Sequence, residues 1–291
     1  MAELAIGTVQ FGLDYGIQGD KKVEDSAVIE ILKTAAENNI FMLDTAAAYG
    51  NSERVLGSAI PETSVEFNIV TKLIEPSVGL VKKQLLESLN RLSTDHIFAC
   101  MFHDFQTVKN NISLFKELEE CRNSNMIEKA GISLYYPEEW IYLQKKGISP
   151  DIIQIPYNLF DRRFEELLPE IKSIGTEIHV RSIFLQGLFF MNPEDLNEYF
   201  QPLLCSLSAL KDLSRQENIS IPELVFRFVA SNNFIDYMLV GITSSKELLE
   251  DIKLSKLSPL SLDLKFQLDE IKIEDDEIIM PFNWPKNKGK Q

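Results

Sequence analysis

The chain has 291 residues, of which 45% are hydrophobic and 25% are charged, the usual balance of a globular protein. Because 29 basic residues stand against 44 acidic ones, the formal charge is −15, which argues against a general nucleic-acid-binding protein. Three widely spaced cysteines disfavour a disulfide framework and a zinc site. No signal peptide and no apolar run of about 18 residues are visible, so we expect a cytoplasmic protein that does not enter a membrane.

Eight short, β-rich apolar runs recur along the chain, and longer amphipathic stretches separate them. Each run is nearly continuous in apolar residues, which is typical of strands buried on both faces of a parallel sheet. The predicted strands are Leu4–Val9, Ile40–Asp44, Asn68–Lys72, Ile97–His103, Lys129–Leu134, Ile152–Ile155, Glu177–Ser182 and Tyr237–Gly241. The predicted helices are Ser26–Glu37, Val78–Leu92, Val108–Arg122, Glu165–Ser173 and Ser244–Lys253. Asp25 and Ser77 are the predicted N-caps of the first two helices.

Strands that alternate with helices in a chain of this length predict one (β/α)8 barrel, the TIM-barrel fold, over residues 1–284. A doubly wound open sheet is the alternative. It is disfavoured because no Gly-x-Gly-x-x-Gly motif follows the first strand. The polar, basic tail at residues 285–291 is predicted to be mobile.

Four side chains of catalytic type are predicted to meet at one rim of this barrel. Asp44 ends the second strand and Tyr49 follows it closely, while Lys72 ends the third strand and His103 ends the fourth. In barrels of this kind, function collects at the carboxyl ends of the strands. A structural ion pair of Asp44 with Lys72 is the simplest alternative. A metal site at His103 and Asp104 is also conceivable, but no third ligand stands at a suitable strand end, and we predict no metal.

The chemistry of this cluster follows from its residue types. A free tyrosine has a pKa of about 10 and is a poor acid at neutral pH, so a nearby Lys72 ammonium would lower the pKa of Tyr49. Asp44 would balance the buried charge of Lys72, and His103 would orient a substrate oxygen by hydrogen bonding. A tuned phenol beside an imidazole suits the protonation of a carbonyl oxygen as hydride reaches the carbonyl carbon.

The block Asp44-x4-Tyr49-Gly-x-Ser-Glu-x-x-Leu-Gly57, with Lys72 and His103 at the next two strand ends, resembles the aldo-keto reductases. The resemblance runs from Gly7 to Glu250. It implies NAD(P)H-dependent reduction of an aldehyde or ketone on a (β/α)8 barrel, with Asp44, Tyr49, Lys72 and His103 as the catalytic tetrad and Tyr49 as the acid. It also implies a monomer whose partner is a small-molecule carbonyl compound.

The resemblance extends in part to the cofactor-binding positions. The implied dinucleotide contacts are Thr8, Ser133, Gln154, Arg181, Ser182, Gly241, Ser244, Lys246 and Glu250. The chain departs from the family pattern at Leu134 and Asp251, which each replace an asparagine, and at Arg181, where a ring-stacking tyrosine is common. Glu247 stands where a basic residue often reads the 2′-phosphate, and Lys246 is the nearest substitute. NADPH is the expected cofactor and NADH is the alternative.

Other features bear on the substrate. The stretches Gly7–Gly16 and Arg181–Gly187 are similar to bacterial members of the family associated with surface-polysaccharide or sugar metabolism. The aromatic residues expected to line a substrate pocket are Phe11, Tyr15, Phe184 and Trp284. Two other functions remain open: a dinucleotide-binding regulatory protein with little turnover, which Arg181 and Leu134 favour, and an NAD(P)⁺-dependent sugar oxidation.

Overall fold

The computed structural model describes residues 1–16, 21–271, 273 and 275–285. Within these residues eight parallel strands form a closed barrel, in which each strand pairs with the next and the last pairs with the first. The strands are β1 (Glu3–Gly7), β2 (Met42–Asp44), β3 (Asn68–Leu73), β4 (Ile97–Phe102), β5 (Ile127–Ser133), β6 (Ile152–Pro156), β7 (Glu177–Arg181) and β8 (Tyr237–Gly241). The predicted single barrel is confirmed.

Helices follow the strands and cover the outside of the barrel. The α-helices are α1 (Val9–Gly12), α2 (Asp25–Glu37), α3 (Ser52–Ala59), α4 (Val81–Leu92), α5 (Phe105–Asn110), α6 (Ser113–Asn123), α7 (Pro137–Lys145), α8 (Leu168–Ser173), α9 (Leu204–Glu217), α10 (Ile221–Ala230), α11 (Ser245–Ser255) and α12 (Leu262–Asp269). Short 3₁₀ helices lie at Ile60–Thr63, Glu165–Leu167, Leu185–Phe190, Pro193–Asp195, Glu198–Leu203, Asp276–Ile279 and Pro281–Asn283. None of the helices in the described part of the chain is long and apolar enough to cross a membrane. Apart from Pro285, the tail predicted to be mobile lies outside the described residues.

Two predicted helix starts are wrong. The helix predicted from Val78 begins at Val81, because Gly79 has a positive φ of 78° and donates its N–H to the Glu117 carboxylate, at 2.9 Å from Oε1. A residue with a positive φ cannot belong to a right-handed α-helix, so α4 begins after Gly79 and Ser77 cannot be its N-cap. In the first helix Asp25 already belongs to α2, and the capping position falls on Glu24.

The single helix predicted over Val108–Arg122 is two helices. Asn111 adopts an extended conformation between α5 and α6, and its side-chain oxygen accepts a hydrogen bond from the Ser113 backbone N–H at 3.1 Å. The Asp104 carboxylate accepts a hydrogen bond from the Thr107 N–H at 3.0 Å and so starts α5 before the apolar periodicity begins. Local capping by short polar side chains overrides the helical pattern at both points.

The inside of the barrel is layered. A compact apolar layer fills its middle: Ala5, Met42, Val70, Ala99, Met101, Ile152 and Leu239. Side chains two positions apart on a strand point to the same side. Asp44, Lys72 and Gln154 therefore form the next layer, toward the carboxyl ends of the strands. The apolar layer closes the barrel beneath these polar groups.

A close approach of two backbone segments positions the loop that carries Tyr49. A Cβ atom on Gly12 would lie only 1.7 Å from the carbonyl oxygen of Tyr49 and 2.6 Å from the backbone nitrogen of Ser52. Only glycine permits this approach without displacing one of the segments. The loop after β1 thus supports the loop after β2 directly.

Candidate active site

Lys72 and Asp44 form a buried ion pair at the carboxyl end of the barrel. The Lys72 side chain is 1% exposed, and its Nζ lies 2.5 Å from Asp44 Oδ1. Lys72 Nζ also donates to the Thr45 carbonyl oxygen at 3.0 Å, while Gln154 Nε2 donates to Asp44 Oδ2 at 2.7 Å. Both carboxylate oxygens of Asp44 are therefore held by donors from other strands, which fixes the position of the ammonium group.

Tyr49 and His103 stand beside this pair. Lys72 Nζ lies 5.1 Å from the centroid of the Tyr49 ring, and the rings of Tyr49 and His103 meet edge to face with centroids 6.0 Å apart. Asp44, Tyr49 and His103 line one cavity of about 760 Å³. The four predicted side chains are thus brought together, with Lys72 buried behind the cavity wall.

A hydroxyl network holds the backbone after β2 in place. Thr8 Oγ1 donates to the Asp44 carbonyl oxygen at 2.9 Å, and Ser52 Oγ donates to the Thr8 carbonyl oxygen at 2.9 Å. Thr45 Oγ1 donates to Ser52 Oγ at 3.0 Å. All three hydroxyl-bearing residues are buried, so these hydrogen bonds restrict the loop that leads from Asp44 to Tyr49.

Glu53, which follows Ser52 in the same sequence block, anchors the loop to the neighbouring strand and helix. Its buried carboxylate accepts a hydrogen bond from Thr71 Oγ1 at 2.6 Å and from Arg91 Nε at 2.6 Å. Thr71 directly precedes Lys72 on β3. The glutamate of the motif therefore ties the tyrosine loop to the strand that carries the lysine.

The expectation that Lys72 lowers the pKa of Tyr49 is wrong for the protein alone. Burial raises the pKa of Tyr49 well above its usual value, and the Asp44 carboxylate raises it further, while the positive charge of Arg181 opposes both. Asp44 neutralises the Lys72 ammonium at 2.5 Å, so little positive charge remains to favour the phenolate. Tyr49 therefore carries its proton throughout the neutral range.

Burial also shifts the pKa of the two basic groups, Lys72 and His103. It lowers the pKa of Lys72, and the Asp44 carboxylate works against that shift. Burial lowers the pKa of His103 to about 4, and the nearby positive charge of Lys72 contributes to this. His103 is therefore a neutral imidazole at neutral pH and can both donate and accept a hydrogen bond.

The protonation states predict the pH dependence of turnover. We expect kcat at saturating cofactor to be flat around neutral pH, because His103 is already neutral and Tyr49 is still protonated there. The rate should fall on the acid side as His103 takes up a proton near pH 4, and on the alkaline side as Lys72, whose pKa burial lowers, loses its proton before Tyr49 ionises. Initial rates across this range measure the profile. An acid limb centred near pH 6.5, the usual imidazole value, would contradict the environment described for His103.

Most of the predicted cofactor residues border the same cavity. Six of them line it: Thr8, Ser133, Gln154, Arg181, Ser182 and Gly241. Ser244 instead caps α11, where its hydroxyl accepts from the Glu247 N–H at 3.2 Å. The Lys246 side chain is 87% exposed and lies 4.0 Å from the Glu250 carboxylate. The structure therefore separates the last three predicted residues, Ser244, Lys246 and Glu250, from the cavity wall.

The groups that face the cavity fit a nicotinamide dinucleotide. The Ser133 hydroxyl and Gln154 Oε1 have no hydrogen-bond partner within the described residues, and together they offer a donor and acceptors to a carboxamide. At the other end, the backbone of Gly241 is exposed at the cavity. The N-terminus of α11 follows closely, and its free N–H groups suit phosphate.

The sequence interpretation missed several cavity residues. Tyr135 lies two residues after the end of β5, and its ring faces Arg181, whose Cζ lies 4.1 Å from the ring centroid. Gln186 also lines the cavity and donates to the Tyr15 hydroxyl at 2.8 Å. The rule that located His103, a polar residue just after a strand, would also have found Tyr135.

The aromatic residues expected in the pocket are only partly confirmed. Tyr15 and Phe184 line the cavity. Phe11 is instead fully buried in the core. Trp284 packs edge to face on Phe200 at 5.2 Å, and its Nε1 donates to the Ile278 carbonyl oxygen. The chain end from Pro281 to Trp284 is therefore held against Phe200 and, through the Phe282 ring at 5.2 Å, against the cavity residue Tyr135.

A closed eight-stranded barrel with these side chains at the carboxyl ends of its strands defines a (β/α)8-barrel oxidoreductase. The model of the Aldo/keto reductase family matches residues 3–273. The chain belongs to this family and is an NAD(P)H-dependent oxidoreductase that acts on small-molecule carbonyl compounds.

Individual relatives are distant. The chain is 25% identical to an uncharacterized oxidoreductase, YqkF, of Bacillus subtilis over 87% of each chain. It is 24% identical to the L-galactose dehydrogenase of Arabidopsis thaliana, over 97% of this chain and 94% of the relative. Among solved structures, the holo form of an aldo-keto reductase from Bacillus halodurans superposes with a TM-score of 0.78 at 22% identity and covers 92% of this chain and 91% of its own. This last likeness shows the fold.

Proposed function

We propose that the protein reduces an aldehyde or ketone to an alcohol with NADPH or NADH, and that Tyr49 donates the proton. The observation that carries the proposal is the convergence of Tyr49 and His103 on one cavity, with the Lys72–Asp44 pair directly behind them. A structural ion pair alone would not need a phenol and an imidazole facing the same space.

Each residue has a distinct part in this reaction. A bound reduced nicotinamide supplies the hydride to the carbonyl carbon. Neutral His103 donates a hydrogen bond to the carbonyl oxygen and orients it toward Tyr49. The phenol then transfers its proton to that oxygen as negative charge develops there, because an alkoxide is a far stronger base than a phenolate. The Lys72 ammonium stabilises the phenolate that is left, and Asp44 keeps the ammonium in position.

Binding and turnover together test the proposal. The reduced dinucleotide is titrated into the protein by fluorescence, and a panel of neutral and charged aldehydes, including aldoses, is then screened for loss of nicotinamide absorbance. Saturable binding with turnover on at least one aldehyde is the expected result. Binding without turnover on any carbonyl compound, in either direction, would instead favour the regulatory function.

Oxidation of a sugar is the second candidate. A relative named L-galactose dehydrogenase supports it, since that protein matches nearly the whole chain. Incubation with oxidised dinucleotide and a panel of aldoses distinguishes the two directions of reaction. If an aldose is oxidised faster than any aldehyde is reduced, sugar oxidation is the function of the protein. A sugar-related substrate, the monomeric state and the cytoplasmic location remain predictions.

The choice between NADPH and NADH depends on the residues at the start of α11. The Glu247 carboxylate lines the cavity and is held there by the backbone N–H and the hydroxyl of Thr243, each at 2.7 Å. A fixed carboxylate repels a 2′-phosphate and can accept from a 2′-hydroxyl, which favours NADH, whereas the resemblance favours NADPH. Glu247→Lys is therefore expected to raise the affinity for NADPH relative to NADH by about tenfold or more, measured by paired fluorescence titrations.

Lys246→Gln is the matched comparison. If Lys246 reads the phosphate, this variant loses affinity for NADPH and not for NADH. If Glu247 controls the choice, Lys246→Gln leaves both affinities unchanged, because the Lys246 side chain is 87% exposed. No change in the NADPH to NADH ratio with Glu247→Lys would remove Glu247 from the account.

A further inference from the structure

Arg181 is a half-buried cation that lines the cavity. It ends β7, and its guanidinium lies over the Tyr135 ring with Cζ 4.1 Å from the ring centroid. Its single hydrogen bond within the described residues is a long one, from Nη2 to the Leu134 carbonyl oxygen at 3.4 Å. No carboxylate in the described part of the chain forms an ion pair with it. A guanidinium has five N–H donors, so at least four have no acceptor among the described residues.

The carboxylates of Asp44 and Glu139 already accept hydrogen bonds from groups other than Arg181. Both oxygens of Asp44 are taken by Lys72 and Gln154. Glu139 accepts hydrogen bonds from the backbone N–H groups of Tyr135 and Tyr136, at 2.7 and 3.2 Å, although the charge of Arg181 acts on its pKa. Among the described residues, the guanidinium therefore lies over Tyr135 with most of its donors unpaired and with no carboxylate bound to it.

This charge lies close to the reacting groups. Arg181, Tyr49 and His103 line the same cavity, and the positive charge of Arg181 acts to lower the pKa of both other residues. Partial removal of a cation from water costs free energy unless an anion pairs with it. A planar guanidinium can bind a carboxylate through two parallel hydrogen bonds. The wall also carries Tyr15, Phe184 and Phe190, which offer apolar contact to the remainder of a ligand.

We propose that Arg181 binds a carboxylate of the substrate, so that the natural substrates are aldehydes or ketones that also bear a carboxylate group. This inference rests on the proposed carbonyl reduction and names its substrate class. Arg181 is then a specificity-determining residue, because it positions the carbonyl group by holding the other end of the molecule.

A matched pair of probes isolates the charge. 4-Carboxybenzaldehyde and methyl 4-formylbenzoate share the ring and the aldehyde and differ in the negative charge. In the unmodified protein we expect the carboxylate to have the lower KM. Arg181→Gln should raise the KM for the carboxylate about tenfold to hundredfold, with a small effect on the ester, because one charge-assisted contact is lost. Arg181→Lys should recover part of the difference, and Arg215→Gln removes an exposed charge elsewhere as the control.

The alternative is that Arg181 serves the cofactor. In that case Arg181→Gln weakens dinucleotide binding, measured by fluorescence titration without substrate, and the two probes lose turnover equally. Either an equal loss on both probes or an equal KM for both in the unmodified protein overturns the inference and leaves the carbonyl reduction standing.

A binding measurement separates this inference from the proposed reaction. If neither probe is reduced, the reduction fails on these substrates. Calorimetric titration of the protein with 4-(hydroxymethyl)benzoate and with its methyl ester then decides the role of Arg181. Tighter binding of the carboxylate that disappears in Arg181→Gln supports the inference, and equal binding of the two compounds contradicts it.

Discussion

Tyr49→Phe is expected to lower kcat for aldehyde reduction by about 100-fold to 10,000-fold, the range that a positioned general acid contributes. The change removes one hydroxyl and leaves the ring, whose edge-to-face contact with His103 at 6.0 Å should persist. Affinity for the reduced dinucleotide should change little, because the variant alters no charge at neutral pH. Steady-state kinetics and a fluorescence titration measure the two quantities separately.

Tyr15→Phe is the matched control for Tyr49→Phe. Tyr15 lines the same cavity, and its hydroxyl accepts a hydrogen bond from Gln186 at 2.8 Å. Removal of that hydroxyl should cost much less activity, since the group is not placed beside Lys72. If the two variants lose the same amount, or if Tyr49→Phe keeps full turnover, the assignment of Tyr49 as the acid is refuted.

Lys72→Met is expected to cost about 3–5 kcal/mol of folding free energy, because it leaves the Asp44 carboxylate buried without its counter-ion. Asp44 would retain one strong donor, Gln154 Nε2 at 2.7 Å, and Lys72 itself is 1% exposed, so solvent does not screen the loss. Urea unfolding monitored by tryptophan fluorescence measures the change. The variant should also be inactive, since the tyrosine loses the ammonium beside it.

The double variant Asp44→Asn, Lys72→Met tests the cause of that loss. It removes both charges together, so it should be more stable than Lys72→Met alone even though it carries an additional substitution. Activity should stay absent in the double variant. A loss below about 1 kcal/mol for Lys72→Met would mean that the pair is not desolvated as described.

The sequence predicted the strands better than the helices. β8 matches its predicted bounds, and the other strands differ by a few residues at their ends, because buried apolar runs are a direct signal of a parallel sheet. Helix boundaries depend on single capping contacts. The hydrogen bond from Gly79 to Glu117 and the side-chain cap at Asn111 join residues that apolar periodicity does not relate.

The catalytic cluster was predictable for the same reason, since strand order places Asp44, Lys72 and His103 at adjacent strand ends. The pKa of Tyr49 in this cluster was not predictable from the sequence. Whether Lys72 lowers the pKa of Tyr49 depends on burial and on how fully Asp44 neutralises the lysine, and neither can be read from residue spacing. The contact of Arg181 with Tyr135 likewise depends on the side-chain conformations of the two residues, which the sequence does not reveal.

In the proposed reaction a carbonyl carbon receives hydride from a dinucleotide held in the cavity beside Tyr49. The most direct measurement is a reduction with dinucleotide carrying deuterium at the transferring position of the nicotinamide ring, followed by mass spectrometry and NMR of the alcohol. We expect one deuterium on the carbinol carbon of the product, and Tyr49→Phe should slow its appearance. An alcohol that forms without deuterium at that carbon, or no alcohol from any aldehyde despite saturating dinucleotide, would contradict it.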